Sequence, residues 1–205
     1  MTGPCHPSRY MEMPIYARGL EIPTRTSTDP THPPNNHQME ILRRTLELIP
    51  LQHLRILTAP GHVQVSMPAC SPSKGGGNGA FVGERWVRLS SASVGAPHNA
   101  TFNSTLLHEF GHLVDHEYRA MTSLQSRDRE AYRLLAGTAH EGETAGPGEG
   151  FADCYMIFLL TRVGRLSYTH PADPSAYRGE AATQRFRALL RTRAFDGVGV
   201  GSAAP

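Results

Sequence analysis

Lysine is almost missing from this chain. Lys74 is the single one among 20 basic side chains, and the other 19 are arginines. Basic and acidic groups nearly cancel, at 20 against 18, so the formal charge of +2 lacks the excess that marks a nucleic-acid binder or a polybasic membrane tail. Neither nucleic acid nor membrane insertion is expected. Cysteine is scarce as well: Cys5, Cys70 and Cys154 leave one thiol unpaired in any pairing scheme, which excludes a disulfide-stapled scaffold. Long apolar runs are also absent, the longest being Cys154 to Leu160, and Met1 to Pro23 has no continuous apolar segment of the Sec-signal kind. Such a protein is expected in the cytoplasm, or outside it by a specialised export route. A chain of 205 residues has room for one ordinary domain and one site.

Residues 1–34 contain seven prolines among scattered Thr, Ser and His, and read as an extended, flexible arm. A single domain is expected over 35–195, with a frayed tail over 196–205 and a terminal, arginine-faced helix within 173–193. After Asn35 or Asn36 as cap, Met39, Leu42, Leu46 and Ile49 recur at helical spacing until Pro50. Leu54 to Leu57 and Val63 to Val65 read as short strands around the turn signal Pro60-Gly61, in a hairpin or meander. Ser71 to Gly79 reads as a loop, and its lysine precedes the glycines, so it lacks the P-loop order. Phe81 to Ser91 alternates and reads as one strand, with Val87 and Leu89 on one face and Trp86 and Arg88 on the other.

Chemistry concentrates in His108-Glu109-Phe110-Gly111-His112. On a helix, positions four apart share a face, so His108 and His112 can reach one ion while Glu109 borders the place where a water would be activated. Thr101, Asn103 or Ser104 can cap this helix, and Leu106, Leu107, Phe110, Leu113 and Val114 give it a core-facing surface. Gly111 in mid-helix implies a close backbone neighbour between the two histidines. Asp115 and Tyr118 stand where a one-helix HExxHxxGxxH motif would need glycine and histidine, so the third ligand must lie elsewhere. Downstream, Pro147 opens an apolar segment in which Glu149 and Asp153 are four apart. On a buried helix, Glu149 can ligate an ion while Asp153 accepts the second ring N–H of a ligating histidine. Glu141 and Glu143 are rival ligands, placed in a Gly-rich loop. Cys154 reads as a small core residue.

HEFGH followed by EGFAD resembles the gluzincin metallopeptidases, over about Phe81 to Leu160, and is most similar to the small lethal-factor-like toxin and effector peptidases. The resemblance implies an α+β, zincin-like fold: a small mixed sheet packed on the HExxH helix, then a helical part carrying the glutamate ligand. It implies one zinc ion per chain on His108, His112 and Glu149, Glu109 as general base, Asp153 behind a histidine, and hydrolysis of a protein or peptide substrate by a monomeric enzyme of one domain. The strand at Trp86, Val87, Arg88 and Leu89 would pair with extended substrate. In that group a tyrosine precedes the glutamate ligand by seven residues; here Gly142 holds the place, leaving Tyr168, His170, Tyr177, Tyr155 or His140 to stabilise the oxyanion. Two other readings stand beside this one. Peptide deformylase also uses HExxH, but Pro68-Ala69-Cys70-Ser71-Pro72 lacks its cysteine-ligand pattern. A catalytically silent zinc module, binding or immunity-like, would have no use for Glu109.

Overall fold

In a computed structural model, residues 10–27, 35–66, 78–90, 93–94, 96, 99–127, 129 and 147–162 are described. They form an α+β fold whose five-stranded mixed sheet carries helices over one apolar face. The order along the sheet is β1 (Tyr10–Glu12), β4 (Thr24–Ser27), β5 (His62–Ser66), β7 (Trp86–Ser90), β6 (Gly79–Phe81). The central strands β4, β5 and β7 are parallel, and the outer strands β1 and β6 are antiparallel to their neighbours.

The expected N-terminal arm is corrected by four strands between Tyr10 and Ser27. The separate hairpin β2 (Ile15–Ala17) and β3 (Leu20–Ile22) turns through Arg18 and Gly19, both at positive φ, the two-residue geometry that suits strand twist. Pro14 and Pro23 lie between strands, where no ladder donor is needed. These two prolines therefore punctuate short strands. Ile15, Ala17 and Ile22 are buried in the core, and Arg18 Nε donates to the Glu47 carbonyl at 2.7 Å, tying the hairpin to the first helix.

Helix α1 (Asn36–Leu48) begins with a capping box between Asn35 and Gln38 and buries Ile41, Leu42 and Leu46. Leu54 to Leu57, expected as a strand, instead complete α2 (Leu51–Leu54) and a 3-10 turn (Arg55–Leu57). Leu54 and Leu57, three apart, both point into the core, a helical spacing that a four-residue apolar run cannot distinguish from a buried strand. The expected hairpin is likewise replaced by a crossover: β4 and β5 are parallel neighbours, so α1 and α2 carry the chain back across the sheet. Gly61 is needed at its end, since a Cβ there would stand 2.7 Å from the Arg85 carbonyl oxygen and collide with that of Ile56.

The expected single strand over Phe81 to Ser91 is divided. Residues Gly79–Phe81 form β6, Val82–Glu84 a 3-10 turn, and Arg85 at φ 57° reverses the chain into β7. In β7, Val87 and Leu89 are fully buried while Trp86 and Arg88 take the other face, as the alternation predicts. Phe81 stacks on Trp86 with ring centroids 3.7 Å apart, and Arg88 lies over the Phe81 ring. Helix α3 (Ser104–Tyr118) packs on the buried side of β7 and β6, and α4 (Ala120–Arg127) and α5 (Pro147–Arg162) follow. Among the described residues, no helix is long and apolar enough to cross a membrane. The expected loop at 71–79 lies largely outside the described residues, as do the helix at 173–193 and the tail at 196–205.

Candidate metal centre

The start of α3 is fixed from two directions. Asn103 caps it by accepting from Leu106 N at 2.8 Å, and Asn103 N donates to Thr45 Oγ1 of α1, also at 2.8 Å. Asn99 Oδ1 accepts from both Ser104 N and Ser104 Oγ. From this anchored end, Leu106, Leu107, Phe110, Leu113 and Val114 enter the core, which turns His108, Glu109 and His112 toward the opposite side. At the far end, Arg119 closes the helix in the left-handed region, and Glu117 pairs with Arg85 at 2.8 Å.

Helix α5 lies against α3. Phe151, Ala152, Cys154, Tyr155, Met156, Leu159 and Leu160 are buried, so Cys154 is the core residue its neighbours suggested. The close approach expected at Gly111 is made by this helix: a Cβ there would stand 2.7 Å from Ala152 Cα.

His108, Glu109 and His112 each offer a donor atom within 4.8 Å of the others, a group that could hold a metal ion. The imidazoles stand edge to face, with ring centroids 5.0 Å apart. Glu149 spans both, with Oε2 at 3.2 Å from His108 Nε2 and Oε1 at 3.4 Å from His112 Nε2. Behind this cluster, His108 Nδ1 donates to Asp153 Oδ1 at 2.8 Å, and the Asp153 side chain is 7% exposed. With Nδ1–H so engaged, a neutral His108 aims a lone pair at a carboxylate. Only a proton or a cation between them makes that arrangement favourable.

The titration of these groups expresses the same demand. Burial opposes charge on His108, but its bonds to Asp153 and Glu149 outweigh that and raise it to about 10. The hydrogen bonds from His108 and His112 hold Glu149 well below the ordinary carboxylate range. Burial lifts Glu109 above its ordinary value, against the pull of the two histidines. A histidine raised above its unfolded value of 6.5 stabilises the fold fully below that pH and ceases to do so as pH rises through about 10. The metal-free protein should therefore lose at least ~1 kcal/mol, or roughly 2–4 °C in Tm, between pH 7 and 10. Thermal melts in chelator across that range, with His108→Gln as reference, check this; equal slopes in the two proteins would contradict it.

A cavity of about 730 Å³ opens beside His112, lined by Val82, Asp115, His116, Glu117, Arg119 and Thr122. Sequence reasoning overlooked it, because it arises where the β6 to β7 connection meets the end of α3. It also misjudged the substrate strand. Trp86, Val87, Arg88 and Leu89 lie in β7, which pairs with β5 along its whole length and with β6 at Trp86, Val87 and Arg88, so those three have no free ladder to offer. Among the described residues, the outer strand beside α3 is β6. Of the residues considered for oxyanion stabilisation, Tyr155 is buried with its hydroxyl 2.7 Å from His53 Nδ1, in the core. His140, Tyr168, His170 and Tyr177 lie outside the described residues, as do Cys70, Glu141 and Glu143. No family model matches the chain, and no curated protein or solved structure matches it.

Proposed function

We propose that this protein is a zinc-dependent peptidase of the gluzincin kind, with His108, His112 and Glu149 holding the ion and Glu109 acting as general base. One observation carries the reading: a carboxylate laid across two Nε2 atoms, with a second carboxylate behind one ring. Zinc bonds of about 2.0–2.1 Å in a tetrahedral arrangement set donors roughly 3.3 Å apart. The separations of 3.2 and 3.4 Å from Glu149 to the two histidines suit that size. Two imidazoles and a carboxylate, with no ring of further oxygens among the described residues, favour zinc over calcium or magnesium.

Zinc in such a site supplies Lewis acidity, polarising a carbonyl and lowering the pKa of a water toward ~7. The remaining work falls to side chains. Glu109, partly buried and raised by that burial, takes a proton from the attacking water and returns it to the departing amine nitrogen, so the peptide bond breaks without a covalent intermediate. Asp153 holds the His108 ring in the tautomer that presents Nε2. An extended peptide can add along β6, the outer strand among the described residues, gaining backbone hydrogen bonds next to α3.

Asp153→Asn should weaken zinc binding by about 10–100-fold, because an amide orients the ring less firmly and leaves it less basic. Competition against a chromophoric chelator measures this, and wild-type affinity in the variant would remove Asp153 from the role. Comparing new peptide termini in a cell lysate treated with zinc-loaded wild type or with Glu109→Gln tests the activity. The proposal expects termini made only by the wild type; identical profiles count against peptide hydrolysis. The likeness of HEFGH and EGFAD to toxin and effector peptidases makes a eukaryotic lysate the first choice.

A further inference from the structure

The donors stand on two helices, and the distance between those helices is set at one point. Gly111 lies between His108 and His112 on α3, and Ala152 lies between Glu149 and Asp153 on α5. A Cβ on Gly111 would be 2.7 Å from Ala152 Cα, 3.1 Å from its carbonyl oxygen and 3.2 Å from its Cβ. Two of those three atoms are backbone, which cannot swing aside as a long side chain could. Contact between α3 and α5 is the most extensive between any two described elements, so the crossing cannot open at one end without disturbing a packed core. Every polar contact of the centre between the helices, from Glu149 to both histidines and from Asp153 to His108, spans this interface within a turn of the crossing. Helices further apart would lengthen all three together.

We propose that the Gly111–Ala152 crossing is the positioning element of the metal centre: it fixes the gap across which the donors meet, and so the size of the ion they accept. The inference rests on the reading of His108, His112 and Glu149 as ligands. Metal–ligand distances tolerate only about 0.2 Å, and a methyl group wedged at 2.7 Å from a backbone atom must displace a helix by more than that. A widened site suits a larger ion of similar donor preference better than it suits zinc.

The test compares Zn²⁺ and Cd²⁺ affinities of wild type, Gly111→Ala and Leu159→Ala, by chelator competition, with melting of each metal-free protein as the check on folding. Leu159 is buried on α5 ten positions from Glu149 and serves as a core variant that loses stability without touching the crossing. Gly111→Ala should lose roughly tenfold or more in zinc affinity and less for cadmium, lowering the Zn/Cd ratio. Leu159→Ala should melt earlier with the ratio unchanged. If Gly111→Ala does not fold, Ala152→Ser applies a smaller wedge from the facing helix and is read in the same way. A folded wedge variant with the wild-type ratio overturns the positioning role alone. Wild type that binds neither ion overturns the ligand assignment, and the inference with it.

Discussion

Glu109→Gln should leave zinc binding intact and reduce hydrolysis by about 10²–10⁴-fold, the range associated with losing a positioned general base. The amide keeps the shape of the carboxyl group but cannot accept the proton. Because Glu109 follows His108 directly and is not needed to bridge the two Nε2 atoms, the helix and its histidines should be unchanged. In the metal-free protein burial raises the Glu109 pKa, whereas the charge of a bound dication lowers it, so the acid limb of the rate profile reports the balance of the two. The base acts when deprotonated, hence activity rises with pH through that limb. A turnover assay on a cleaved peptide, together with a zinc titration of the same samples, separates the two effects. Activity near the wild-type level in a zinc-loaded Glu109→Gln sample would sink the mechanism.

Glu149→Ala has the opposite signature: the ion is lost first, and activity follows. Three protein donors are the working minimum of a catalytic zinc site, and removing the carboxylate leaves two imidazoles on one helix. The loss of affinity should exceed the about 10–100-fold expected for an outer partner such as Asp153. Wild type at a free zinc concentration of about 100 Kd gains ~2.7 kcal/mol from binding, or roughly 5–10 °C in Tm, and the variant should show little of that rise. Melting with and without zinc reads this directly. A full zinc-dependent shift in Glu149→Ala would transfer the ligand role to another carboxylate, with Glu141 and Glu143 the first to examine.

The centre was legible in the sequence because its parts are local. His108 and His112 share a helical face by spacing alone, Gly111 advertises a close neighbour, and two acids four apart in an apolar segment have few reasons to be there. The N-terminal strands were not legible for an equally physical reason. Each is three or four residues long, too short to establish a period of two, and the prolines between them suggest disorder when counted by composition. What holds them is distant: β4 pairs with β5 across α1, and Ile15 and Ala17 are buried against a helix that follows. The same limit applies to β7. Its alternation gave the correct faces, but only the sheet order shows that β6 takes its free edge.

The sheet order also bears on timing during synthesis. Every described strand of the sheet lies before residue 91, both histidines lie on a helix ending at Tyr118, and Glu149 and Asp153 come from the last described helix. As the ribosome delivers the chain, the sheet and the two imidazoles come first, and Glu149 follows His112 by 37 residues. On the proposed ligand set, metal capture would be a late event in the life of the nascent protein, and a chain truncated before Pro147 would carry the HExxH motif without Glu149 and Asp153.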